Sequence, residues 1–89
     1  MQALARYTVE LRRPPDGWGE LSAATARARH AARELREEGL QVRLLRSVFV
    51  PEDDACFLLY EGPSAEAVRT AVGRAGLSAT RELESIEED

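Results

Sequence analysis

Four strand-like and two helix-like segments, in the order strand, helix, strand, strand, helix, strand, predict an α+β fold built on one sheet. Three observations carry that reading. The N-terminal segment alternates with period two, residues 18–38 hold small and apolar side chains at helical spacing, and two apolar runs are separated only by Pro51-Glu52-Asp53-Asp54. At 89 residues the chain has room for one small domain, 1–89, and too little for a second core.

From Ala3 to Leu11 the residues Ala3, Ala5, Tyr7, Val9 and Leu11 alternate with Leu4, Arg6, Thr8 and Glu10, the pattern of a strand with one buried face. Arg13-Pro14-Pro15-Asp16-Gly17 ends it, because proline donates no ladder hydrogen bond; Asp16 or Ser22 is the candidate cap of the next element. Between Trp18 and Glu38 the stripe Leu21, Ala24, Ala28, Ala31, Ala32, Leu35 defines an amphipathic helix, with Arg27, His30, Arg33, Glu34 and Glu37 opposite. An alanine stripe lets the helix approach its support closely while adding little transfer energy per residue. Gly39 stops the helix as a left-handed C′ residue.

Leu40 to Val50 is the most apolar stretch, with Leu40, Val42, Leu44, Val48 and Val50 on one parity and Leu45 and Phe49 on the other. Ala55 to Glu61 is again apolar on both parities, and the polar turn between the two runs makes them a hairpin. Gly62-Pro63 breaks the second run, and Ser64 is the N-cap of a short helix through Ala65, Val68, Ala71, Val72 and Ala75, stopped at Gly76. Leu77 to Ile86 alternates more weakly, as a charged edge strand does, and Glu87-Glu88-Asp89 is expected to be a solvated tail. The sum is a ferredoxin-like βαββαβ sandwich: a four-stranded antiparallel sheet with both helices on one face, as right-handed crossovers require. Two helices cover one face only. Strict alternation separates Leu45 and Phe49 from Leu44 and Val48, and Leu58 from Phe57 and Leu59, so the second face is expected to pack on a second copy as a C2 homodimer.

Composition limits the function classes. The charged residues, 12 Lys+Arg against 16 Asp+Glu, leave a net charge of -4, which disfavours a sequence-independent grip on nucleic acid. No apolar run reaches the roughly 18 residues of a membrane span, and the N-terminus lacks a signal-peptide core, so a cytoplasmic protein with no membrane partner is expected. Cys56, the single cysteine, excludes an internal disulfide and fits a reducing compartment.

Few residues point to chemistry. His30 and Glu34 share a helix face, yet two ligands fall short of the three or four a metal wants. Glu52, Asp53 and Asp54 are turn residues without the alternating ligands and central glycine of a calcium loop. Cys56 has neither a CxxC partner nor a neighbouring base, and reads as a small core hydrophobe. Gly73 and Gly76 follow a helix and lack the Lys-Ser/Thr of a phosphate loop. Arg46 is the more informative position, since it interrupts the most apolar strand and a buried guanidinium needs a carboxylate or a ligand anion. Its candidate partners are Glu10, Glu61 and Tyr60, in a structural ion pair or in a ligand-facing pocket that Tyr7 and Tyr60 help to line.

The run Arg46-Ser47-Val48-Phe49-Val50-Pro51-Glu52-Asp53-Asp54-Ala55-Cys56-Phe57, with Glu61-Gly62-Pro63-Ser64-Ala65-Glu66-Ala67-Val68-Arg69 and Arg74-Ala75-Gly76-Leu77, resembles a bacterial family of small domains of unknown function often labelled nickel-binding protein. The resemblance extends from Val9-Glu10 to about Leu83. It implies a ferredoxin-like fold and a homodimer of the dimeric α+β-barrel kind, with nickel as the named ligand. This chain has Arg46 and Ala71 where the family pattern places histidines, and a guanidinium in place of an imidazole removes a ligand and repels a divalent cation. The expected function is therefore that of a noncatalytic homodimer binding a small molecule or metal ion, with Arg46, Tyr60, Glu10 and Tyr7 as site residues and an organic anion as the better ligand. The alternative, by analogy of architecture, is a cofactor-free monooxygenase or cyclase acting on a small aromatic or polyketide-like molecule, for which Glu10, Glu61, Tyr7, Tyr60 and Cys56 are the groups near the sheet able to titrate.

Overall fold

The computed structural model describes residues 3–13, 17–19 and 21–85, with the backbone alone for 81–85. Strands β1 (Ala5–Leu11), β2 (Arg43–Val50), β3 (Ala55–Gly62) and β4 (Ala79–Ser85) and helices α1 (Leu21–Glu37) and α2 (Ala65–Arg74) are arranged along the chain as β1-α1-β2-β3-α2-β4. The strands form one antiparallel sheet in the spatial order β2-β3-β1-β4, so β2 and β4 are its edges. This is the ferredoxin-like α+β arrangement expected from the element order.

Each element ends where its residues dictate. Gly39 takes φ 101°, a left-handed conformation that costs a glycine little, and Leu40 N donates back to Leu35 O at 2.9 Å. Ser64 Oγ accepts from Ala67 N at 3.1 Å and caps α2 as expected. Pro51–Asp53 is a single 3-10 turn closed by Asp54 in the left-handed region at φ 49°, which joins β2 to β3. Ser22 lies inside α1 and does not cap it. Asp16 and the tail 87–89 lie outside the described residues.

The core lies between the helices and one face of the sheet. Tyr7, Val9 and Leu11 of β1 and Cys56, Leu58 and Tyr60 of β3 meet Ala28, Ala31, Ala32 and Leu35 of α1 and Val68, Ala71 and Val72 of α2. Fully burying a side chain such as Leu35, Leu58 or Val68 contributes roughly 1.5–3 kcal/mol, while the alanines chiefly set the distance of approach. A Cβ at Gly62 would sit 3.4 Å from Val68 Cγ2 and 3.6 Å from Val42 Cγ2, so that end of β3 runs close beneath α2. The shortest dimension is 17 Å, the thickness of one helical layer on one sheet.

The register corrects the expected division of β2 between faces. Leu44 lies opposite Tyr60 and Arg46 opposite Leu59, so Leu45 is an extra residue in a β-bulge. Beyond it the parity inverts. Leu44 and Phe49 lie opposite Tyr60 and Cys56 on the helix side, and Arg46 and Val48 lie opposite Leu59 and Phe57 on the other. Leu44 and Phe49 thus share a face that strict alternation denied them, and β3 alternates as expected.

Candidate functional site

The sheet face away from the helices is built in cross-strand rows. In one row Val48, Phe57 and Glu10 are successive neighbours from β2 to β1; in the next, Arg46, Leu59 and Thr8; in a third, Arg43, Glu61 and Arg6. Val48 is 39% exposed, whereas Val9 and Leu58 on the covered face are 0% and 1% exposed. Phe57 and Leu59 are half-buried within the single chain. An apolar cluster of Val48, Phe57 and Leu59 therefore occupies the β2–β3 side of the open face, with Arg43, Arg46, Glu10 and Glu61 around it.

The four residues proposed from the sequence divide between two environments. Arg46 and Glu10 lie on the open face; Tyr7 and Tyr60 lie opposite each other on β1 and β3, beneath the helices. One pocket lined by all four does not form within the chain, because alternate residues of a strand point to opposite faces. Arg46 is exposed, not buried, since β2 is an edge strand and Leu59 is the residue opposite it. The need for a buried counter-ion disappears with that placement.

Burial sets the titration of the covered groups. Tyr60 is 0% exposed, its Oη has no hydrogen-bond partner among the described residues, and desolvation pushes its pKa up to about 12. Desolvation also raises the Cys56 thiol above its ordinary range. Both stay protonated at neutral pH, so neither is an activated nucleophile or base.

Metal donors are sparse. His30 Nε2 lies 3.6 Å from Glu34 on α1, with both side chains largely in solvent. Among the described residues no three His, Cys, Asp or Glu side chains group as a metal site. Glu52, Asp53 and Asp54 are exposed turn residues, and Asp54 pairs with Arg13 at 2.9 Å. Beside them Trp18 Nε1 donates to Asp54 O at 3.2 Å and its ring lies 6.2 Å from that of Phe49, which fastens the segment before α1 to the hairpin end.

A four-stranded antiparallel sheet with two helices on one face and a partly apolar open face defines a small ferredoxin-like domain. The chain belongs to the SCO4226-like family, described as nickel responsive proteins, whose profile matches residues 9–84. The fold is similar to the crystal structure of SCO4226 from Streptomyces coelicolor A3(2), with a TM-score of 0.67 and 27% identity over 96% of this chain and 100% of that one. Comparison with curated proteins gives no match. No helix among the described residues is long and apolar enough to cross a membrane.

Proposed function

We propose that this domain is a noncatalytic homodimeric binding protein, with the open sheet face closed by a second copy and a small organic anion held near Arg46 at that interface. The supporting observation is the strip of Val48, Phe57 and Leu59 on a face that no helix covers. A self-complementary C2 pairing would place apolar residues on apolar residues, and Arg46 of one copy near Glu10 and Glu61 of the other. The burial of Cys56 and Tyr60, which raises both groups above their ordinary ranges, supports a binding role over a catalytic one.

Nickel responsiveness belongs to the family description, and the donors among the described residues do not group as a nickel site. His30 is the single histidine, it stands in solvent, and the open face carries the fixed charges of Arg43 and Arg46. Native mass spectrometry before and after equilibration with nickel salts tests both parts. A dimer without stoichiometric nickel uptake is expected. A monomer would contradict the interface, and a dimer gaining stoichiometric nickel would contradict the choice of an organic anion.

A further inference from the structure

The chain is acidic overall, yet a third of its cations gather in one place. Between α1 and the edge strand β2 runs an open groove of about 900 Å³ lined by Arg29, Arg33, Arg36 and Arg43, four of the 12 arginines. Thr25 and His30 also line it. Arg29, Arg33 and Arg36 stand at steps of four and three along α1 and so share one side of the helix, next to the alanine stripe that seats it on the sheet. Like charges at these spacings disfavour an isolated helix, and the groove concentrates them further.

Two of the guanidinium groups are held in position by the strand. Arg29 Nη1 donates to Leu44 O at 3.3 Å and Arg36 Nη1 donates to Val42 O at 2.9 Å. A guanidinium has five N–H donors, so each keeps others for a ligand while the backbone contact restricts its rotamers. Arg33 and Arg43 have no hydrogen bond or ion pair among the described residues. The acidic groups nearby include Glu34, which faces His30 at 3.6 Å, Glu37, one helical turn beyond Arg33 and not ion-paired with it, and Glu61, which lies opposite Arg43 in the sheet register without pairing with it. The positive charge in the groove is thus largely uncompensated. Its volume lies within the range of small-molecule sites and far exceeds that of a single hydrated chloride.

We propose that the groove between α1 and β2 binds a small molecule carrying at least two anionic groups, carboxylate or phosphate, held by Arg29, Arg33, Arg36 and Arg43. Bidentate pairing of guanidinium with carboxylate or phosphate is the strongest hydrogen-bonded contact these side chains make, and several forks around one cavity select a multiply charged ligand over a monoanion. This site goes beyond the interface reading, because α1 and β2 of one protomer build it without a second copy.

Isothermal titration at low ionic strength with citrate and with tripolyphosphate tests the site. A saturable one-to-one isotherm is expected with at least one probe, and the tighter of the two identifies the ligand class as carboxylate or phosphate. The double variant Arg33→Gln/Arg43→Gln strands no partner and should fold; it is expected to bind about tenfold or more weakly, the loss expected from removing charge-assisted hydrogen bonds. Arg12→Gln, an exposed arginine just after β1, is expected to bind as the wild type does. The monomer-forming variant Phe57→Arg is expected to keep its affinity, which separates this site from the dimer interface. Undiminished binding by the double variant, the absence of saturable binding with both probes, or loss of binding in the Phe57→Arg monomer would overturn the proposal.

Discussion

The two faces of the sheet are made by the same strands, one residue apart, and they obey different rules. On the helix side Val9, Cys56, Leu58 and Tyr60 are at most 1% exposed, and among the described residues no charged side chain is buried there. On the other side apolar and charged residues are interleaved: Val48, Phe57 and Leu59 between Arg46, Glu10 and Glu61. The covered face is specified by packing within one chain, where a missing methylene is felt directly. The open face mixes an apolar cluster on β2 and β3 with charged residues around it, the composition that the proposed dimer interface would bury.

The comparison is sharpened first by truncation on the covered face. Leu58→Ala is expected to lower unfolding stability by about 2–5 kcal/mol in urea titration, the range for a leucine whose cavity cannot collapse. A loss below about 1 kcal/mol would mean that this face is not the close-packed one.

A second test uses pH. Tyr60 has its folded pKa raised to about 12 from an ordinary value near 10, so the unfolded chain releases that proton first as pH rises. The contribution is complete below about pH 10 and is lost between about pH 10 and pH 12, an effect on the order of 2–3 kcal/mol. Cys56 shifts in the same direction and adds to the alkaline loss. Tyr60→Phe removes the tyrosine's part of this dependence. At neutral pH it is expected to leave stability unchanged or raise it by up to about 1 kcal/mol, because the Oη has no partner to lose. Destabilisation beyond about 1 kcal/mol at neutral pH would mean that the Oη does have a hydrogen-bond partner, contrary to its placement among the described residues.

The smallest expected effect is at a helix end. Ser64→Ala removes the acceptor for Ala67 N and should cost about 1 kcal/mol by thermal or urea unfolding. Because α2 packs on the covered face, this loss should appear without any change in the oligomeric state.

Much of the covered face is legible in the sequence. The stripe ending at Leu35, the stop at Gly39, the cap at Ser64 and the alternation of Tyr7, Val9 and Leu11 are local patterns, and each is present in the structure. The open face is less legible because β2 is apolar on both parities around Leu44, Leu45, Val48 and Phe49. One bulged residue, Leu45, then inverts every assignment after it, and no composition signal marks it. The apolar neighbours of Arg46 suggest a buried charge. Its edge-strand position, which is set by the βαββαβ order itself, leaves it in solvent. The arginine groove escapes the sequence for a different reason. Arg29, Arg33 and Arg36 are visible at helical spacing, but their meeting with Arg43 depends on how α1 sits against β2.

The most direct test of the difference between the faces is sedimentation velocity on the wild type and on Phe57→Arg at micromolar concentration, with urea unfolding of both. A wild-type dimer is expected, together with a folded Phe57→Arg monomer, if the open face is the proposed interface while the covered face holds the fold. A wild-type chain that sediments as a soluble monomer would contradict the account, as would a Phe57→Arg variant that remains fully dimeric.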